Sequence, residues 1–258
     1  MRPILFKIGE YTFHSYSVSM GLALLISILL IVRQAKREGY DPDRILEGCI
    51  IIAASGLLGA RLVFAAQNLD YFSVNWPQIF TLKFGWFSAH GALFLFLLAG
   101  LLWCRRRKVI NFLDLGDLMI PYYMVGYVIV RTLGCFLAGC CYGKVSDLPW
   151  AVVMVNVDSQ PRHPVQLYAA LGGIIIFIIL KYYYRIRPFP GSNILLMFIL
   201  YGILRFICEF FREADVEPPW LGLSLAQLVS LLMIVLSSSV FFAVLYNKRR
   251  STAGRAKT

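Results

Sequence analysis

The chain has 258 residues, 59% hydrophobic and only 15% charged, with a formal net charge of +11. A soluble domain carries about 45–50% apolar and about 25% charged residues, so a water-facing exterior is excluded and most of the surface must face lipid. The basic residues lie in short clusters between apolar runs, a pattern of membrane topology rather than of nucleic-acid binding.

Seven apolar runs, each near the roughly 20 residues that span a bilayer, predict helices over 14–33, 47–66, 88–104, 116–138, 166–184, 192–211 and 224–246. The connections are short, with no linker or repeat. The expected fold is an all-α bundle in a single membrane domain of residues 1–258, with 247–258 as a basic cytoplasmic tail. The first run lacks a cleavage site and is followed by Arg33, Lys36 and Arg37, so it is expected to stay as a helix.

Lys and Arg alternate from loop to loop. They crowd after the first run, after the third (Arg105, Arg106, Arg107, Lys108), after the fifth (Lys181, Arg185, Arg187) and after the seventh (Lys248, Arg249, Arg250). The intervening loops are poor in positive charge. This asymmetry predicts the N-terminus outside and the C-terminus in the cytoplasm. Trp76, Trp86, Trp150 and Trp220 then fall on the outer side, as interfacial residues.

With that orientation, each polar residue acquires a depth. Tyr16, Arg61, His90, Arg131, the group Arg162, His163 and Gln166, and the group Tyr201, Arg205 and Glu209 all fall toward the outer leaflet. Asp117 is the exception, at the inner end of the fourth run. A charge inside the bilayer costs roughly 2.5–3.5 kcal/mol on insertion scales. Snorkelling accounts for an isolated arginine. It accounts less well for Tyr201, Arg205 and Glu209, whose spacing of four sets them on one helix face; an intrahelical Arg205–Glu209 pair is the plain structural alternative. Arginines at one depth suit an anionic ligand, because guanidinium holds phosphate through paired hydrogen bonds. A nearby histidine can move a proton near neutral pH. The residues thus point to a phospholipid-headgroup site open to acid–base chemistry, without naming a reaction.

Cysteine appears six times, at Cys49, Cys104, Cys135, Cys140, Cys141 and Cys208. No small extracellular domain is present for disulfides to staple. The group Cys135, Cys140, Cys141 lacks the paired C-x2-C blocks of a zinc site, so no metal is expected and small-residue helix packing is the favoured account.

Three segments carry a family resemblance: Arg131-Thr-Leu-Gly134-Cys135-Phe-Leu-Ala138-Gly-Cys140-Cys141-Tyr-Gly143, Arg162-His163-Pro-Val-Gln166-Leu-Tyr168, and Tyr201-x3-Arg205-x3-Glu209-Phe-Phe-Arg212 followed by Ser224 and Gln227. With His14-Ser15-Tyr16 and His90-Gly91, the sequence resembles bacterial prolipoprotein diacylglyceryl transferases over nearly its whole length. The resemblance implies an inner-membrane enzyme whose site faces the outer leaflet. Such an enzyme moves the diacylglyceryl group of phosphatidylglycerol onto the lipobox cysteine of a prolipoprotein signal peptide, forms a thioether and releases glycerol phosphate. It implies no cofactor. By the same resemblance His90 is the candidate base, Arg131 and Arg205 hold phosphate, and Glu209 orients Arg205 or a substrate amide. Tyr16, Arg61, Gly134, His163, Gln166 and Tyr201 would belong to the substrate site, and Gly143 would permit a tight turn.

The signature departs from the family pattern Gly-Arg-x-Gly-Asn-Phe-x-Asn-x-Glu-x-x-Gly. Arg131 stands three residues before Gly134 rather than two, and Cys135, Ala138 and Cys140 replace Asn, Asn and Glu. One extra helical residue turns a side chain by about 100° and shifts it by about 1.5 Å, unless a bulge absorbs it. Two further possibilities remain beside the transferase. One is a paralogue with another acceptor or without catalysis. The other is a transporter of an anionic lipid or solute, which calls for ionisable groups near the midplane and along both ends of a path.

Overall fold

The computed structural model describes residues 1–9, 11–75, 77, 88–213 and 222–255; Trp76, Trp86 and Trp220 lie outside the described residues. In chain order the elements are β1 (Ile4–Ile8), β2 (Tyr11–His14), α1 (Ser15–Arg37), α2 (Pro42–Gln67), α3 (Leu69–Val74), α4 (Ala89–Arg107) and α5 (Phe112–Ile129). A π-helical segment, Val130–Phe136, continues α5. It is followed by β3 (Val152–Val153), β4 (Pro161–Arg162), α6 (Val165–Tyr183), α7 (Ser192–Phe211) and α8 (Leu225–Arg255). Among the described residues seven helices are long and apolar enough to cross a membrane, counting α5 with its π segment as one. Many of their leucines and isoleucines stay exposed, Leu24, Leu25 and Leu29 among them, as a lipid-facing surface requires.

Helix α7 spans its predicted run, whereas α1, α2, α4 and α8 extend past theirs at polar ends. Asp41 starts α2 earlier than hydropathy does, because its carboxylate accepts from the Asp43 and Arg44 amides at 2.9 and 3.4 Å, with Pro42 in the first turn. Helix α8 runs on through Arg250 to Arg255, so the basic tail is largely helical. The all-α expectation holds for the seven spans, and two short strand pairs accompany them. Antiparallel pairs form outside the spans, β1–β2 in the segment ahead of α1 and β3–β4 in the 137–164 connection, where backbone groups outside helices still need partners.

The chain forms two compact units, Met1–Ser27 with Gly116–Thr258, and Ile28–Leu115. In the smaller unit, glycines let α2 and α4 touch. A Cβ on Gly91 would lie 2.2 Å from the Gly59 carbonyl oxygen, and one on Gly48 would lie 2.8 Å from the Trp103 ring. In the larger unit, Met124, Ile176, Leu180 and Met197 form a core joining α5, α6 and α7.

Asp117 has a structural place. It is fully buried on α5, and its carboxylate accepts from the backbone amides of Gly191, Asn193 and Ile194 at 2.8, 3.1 and 3.1 Å. It caps the N-terminus of α7 from another helix, where the dipole favours an anion. Pro121, lacking an N–H, frees the Asp117 carbonyl four residues back, and the Asn193 side-chain Nδ2 donates to that oxygen at 3.1 Å. Arg187 lies 3.7 Å from the same carboxylate. Replacing Asp117 with Ala strands three amide donors, two of them buried, and should lower stability by about 2–4 kcal/mol. Thermal unfolding in detergent measures this, and Asp117→Asn should recover part of the loss.

Candidate functional site

In the larger unit the polar residues converge where the π segment, the 137–164 connection and the ends of α6 and α7 meet. The π geometry accommodates the extra residue between Arg131 and Gly134. Its widened turn loosens the backbone ladder, and the Thr132 hydroxyl donates to the carbonyls of Val128 and Ile129 at 2.8 and 3.3 Å. Arg131 projects over the Tyr127 ring with 5.0 Å to the centroid, and Tyr127 meets Tyr201 edge-on at 5.7 Å. Charge reach from Arg131 extends to Tyr201, Cys135 and Cys141. Arg131 forms no carboxylate ion pair among the described residues.

Gly134 serves close approach. A Cβ there would stand 2.5 Å from the Ser19 Oγ and 3.4 Å from the Tyr16 ring. Tyr16 is thereby held beside the signature, within electrostatic reach of Arg131, Cys135, Cys140 and Cys141.

On α7, Arg205 and Glu209 form the i,i+4 ion pair at 2.8 Å, and Arg212 lies 3.8 Å from the same Glu209 oxygen. The other Glu209 oxygen accepts from the Ser224 hydroxyl at 3.2 Å. Ser224 and Gln227 make a reciprocal capping box: Gln227 Oε1 accepts from the Ser224 amide at 2.9 Å, and Ser224 Oγ accepts from the Gln227 amide at 3.2 Å. Glu209 therefore joins the end of α7 to the start of α8 while it holds Arg205.

Gly143 is required by crowding rather than by a turn. Its Cβ would sit 2.5 Å from the His163 carbonyl oxygen and 2.7 Å from that of Phe211, and its φ is not positive. Its amide donates to the His163 carbonyl at 3.1 Å, and its residue bridges to Arg212. Arg162, 8% exposed, is fully engaged: it pairs with Asp158 at 2.5 Å and Glu213 at 3.0 Å and donates to the Gly143 carbonyl. It braces the crossing. His163 Nδ1 lies 3.2 Å from the Tyr168 hydroxyl, which also accepts from the exposed Trp150 indole at 2.8 Å. Gln166, fully buried, donates to the Cys140 carbonyl at 2.7 Å, and its Oε1 has no hydrogen-bond partner.

The three signature thiols, grouped in the sequence but without the paired C-x2-C spacing of a zinc site, come together in space. Their Sγ atoms all lie within 4.8 Å of one another. Hydrogen bonds with Cys135 and Cys140 pull the Cys141 thiol down, and hydrogen bonds with Cys135 and Cys141 push Cys140 up.

Arg61 and His90 belong to the smaller unit. Arg61 is buried on α2 with Phe72 5.8 Å beneath its guanidinium, and His90 is exposed in the first turn of α4. The Gly59–Gly91 contact and the Ser88 amide, which donates to the Ala60 carbonyl at 2.9 Å, hold the segments bearing them together.

Two outcomes follow from the crossing. Gly143→Ala places a methyl between two backbone carbonyls that cannot both retreat, and should cost about 1–3 kcal/mol or more, read as reduced folded yield and a lower unfolding temperature. Arg162 holds the Asp158 carboxyl below its ordinary range. That contribution is complete above the unfolded value of about 3.9 and disappears as pH falls through the lower folded one. Limited proteolysis of the 144–165 segment should therefore show an Arg162-dependent protection at pH 7 that vanishes in strong acid, and that Arg162→Gln lacks throughout.

A family model for prolipoprotein diacylglyceryl transferase matches residues 3–243. Relatives named phosphatidylglycerol–prolipoprotein diacylglyceryl transferase include one from Campylobacter hominis, 34% identical with 96% of this chain and 92% of the relative covered. Another from Geobacter sulfurreducens is 34% identical with 96% of both chains covered. One from Clostridium tetani is 30% identical over 93% of this chain and 97% of its own.

Proposed function

Because the chain belongs to the prolipoprotein diacylglyceryl transferase family, we propose that the polar convergence of its larger unit is where phosphatidylglycerol is held and activated. The protein is a multi-pass bacterial membrane transferase that moves the diacylglyceryl group from phosphatidylglycerol to a prolipoprotein. The finer proposals are the lipobox cysteine as acceptor, the inner membrane as location, and a site facing the outer leaflet, with the N-terminus outside as the charge asymmetry suggests.

The observation that carries the site assignment is Arg131: a half-buried guanidinium beside Tyr127 and Tyr201, without a carboxylate partner among the described residues. A cation in an apolar bundle calls for an anion, and the phosphodiester of phosphatidylglycerol supplies one. In the reaction the acceptor thiol loses its proton, since the thiolate is the nucleophile. Its sulfur forms a bond to the glyceryl carbon that carries the phosphate ester. The C–O bond breaks, and glycerol phosphate leaves with the extra charge. Arg131 and Arg205 stabilise that charge as it develops. Glu209 holds Arg205 in a fixed orientation through their 2.8 Å pair, and Tyr16 and Tyr201 flank the headgroup. Gln166 supplies a spare buried acceptor, suited to a glycerol hydroxyl. The base role proposed for His90 and the substrate role proposed for Arg61 rest on the sequence motifs.

The test uses purified protein in phosphatidylglycerol vesicles with a lipobox peptide whose mass is followed. The wild type should add one diacylglyceryl group. Arg131→Ala and Arg205→Ala should each slow transfer by roughly 100- to 1000-fold. Glu209→Gln, which keeps the shape but loses the ion pair, should fall between them and the wild type. Full activity in a folded Arg131→Ala protein would remove Arg131 from the phosphate site.

A further inference from the structure

We propose that Cys135, Cys140 and Cys141 form a trigonal thiolate site for a soft monovalent metal ion of the copper(I) class. The donors are built into the backbone. Cys135 is buried on the π segment. The chain then doubles back: Gly139 and Cys141 both adopt left-handed φ values, +70° and +58°, on either side of Cys140. The Cys140 amide donates to the Cys135 carbonyl at 3.1 Å. A non-glycine residue at positive φ is strained, and such strain gathers at functional sites. Gln166 pins the Cys140 carbonyl from α6 at 2.7 Å. The cluster is thus fixed from the π segment, from its own turn and from a neighbouring helix.

The geometry fits a three-coordinate ion. With metal–thiolate bonds of about 2.3 Å, a planar trigonal site sets its sulfurs about 4 Å apart. The three Sγ atoms lie within 4.8 Å of one another, so closure needs less than about 1 Å of movement. Among the described residues no histidine, aspartate or glutamate joins the group. His163 is turned to Tyr168 instead. A closed zinc site asks for four ligands; three thiolates alone suit a soft ion of low charge. Charge agrees as well. Three thiolates around a monovalent ion leave two negative charges, and two guanidiniums, Arg131 and Arg212, have the cluster within reach. A phospholipid has no need of three thiols, so this site differs in chemistry from the headgroup binding proposed above, with which it shares Arg131.

The test is a titration of the full-length, reduced protein in detergent without oxygen, with copper(I) delivered from a chromogenic chelator, followed by X-ray absorption at the copper edge. One ion per chain is expected, with three sulfur neighbours at about 2.3 Å. Cys135→Ser and Cys141→Ser should each weaken binding by at least the roughly 100-fold that loss of an outer-shell partner can reach, whereas Cys49→Ser should not change it. Should the serine variants fail to fold, the unaltered protein still decides the matter: copper(I) should protect three thiols from alkylation, mapped by peptide mass to Cys135, Cys140 and Cys141. The proposal is overturned if copper is retained no better than by Cys135→Ser. It is overturned equally if protection maps elsewhere, if zinc outcompetes copper with a fourth ligand, or if the isolated protein holds two of these cysteines as a disulfide.

Discussion

At Gly143 three stretches of backbone come within hydrogen-bond distance: the end of the cysteine-rich connection, the entry to α6 and the exit from α7. Two carbonyls occupy the space a side chain would need. A Cβ would not fit at this crossing, and the polar groups of the adjoining segments take their positions from it. His163 and Gln166 follow directly on one strand of the crossing, Glu209 and Arg212 precede it on another, and Cys140 and Cys141 lead into it. Arg162 reinforces the junction with two carboxylates and the Gly143 carbonyl itself. Such a junction is costly to build in or near a membrane, where unpaired backbone groups have no water to turn to, and it is built here from mutually satisfied donors and acceptors.

The ion pairs divide by function. Arg162 is saturated by Asp158 and Glu213, and Asp117 by three amides of α7; these charges hold helices and loops in register. Arg205 is half-committed, sharing Glu209 with Arg212 and Ser224. Arg131 has aromatic rings and thiols about it and no carboxylate among the described residues. The gradient from saturated to unsaturated runs from the scaffold to the proposed site, as expected when stability and ligand binding draw on the same few charges.

The seven spans were legible because each apolar run is long and its interruptions few; the predicted boundaries were short at Asp41 and in α8, where capping and basic residues extend a helix without adding hydropathy. The Tyr201–Arg205–Glu209 face was legible from its spacing of four. Other features were hidden because they depend on contacts distant in sequence. Asp117 looked like an exception until α7 supplied its amides. Gly143 looked like a turn until His163 and Phe211 were seen on both sides of it. The two hairpins are too short to leave a periodic signal, and the thiol cluster follows from two left-handed residues that no spacing rule encodes.

The shifted Arg131 brings these threads together. An additional residue in a regular helix would swing the guanidinium through about 100°. A π segment spreads that residue over a widened turn, at the cost of a looser hydrogen-bond ladder, with the Thr132 hydroxyl bonded to two carbonyls at its entry. The same segment carries Cys135, and so delivers it to the thiols that follow. Insertion, π geometry and cysteine cluster are therefore one structural unit rather than three independent oddities. Straightening the helix by deleting a residue between Arg131 and Gly134 would change the bearing of Arg131 relative to Tyr127 and Gly134 at once, because Gly134 packs closely against α1 and Tyr127 and Val128, just ahead of the segment, against Gly173 of α6.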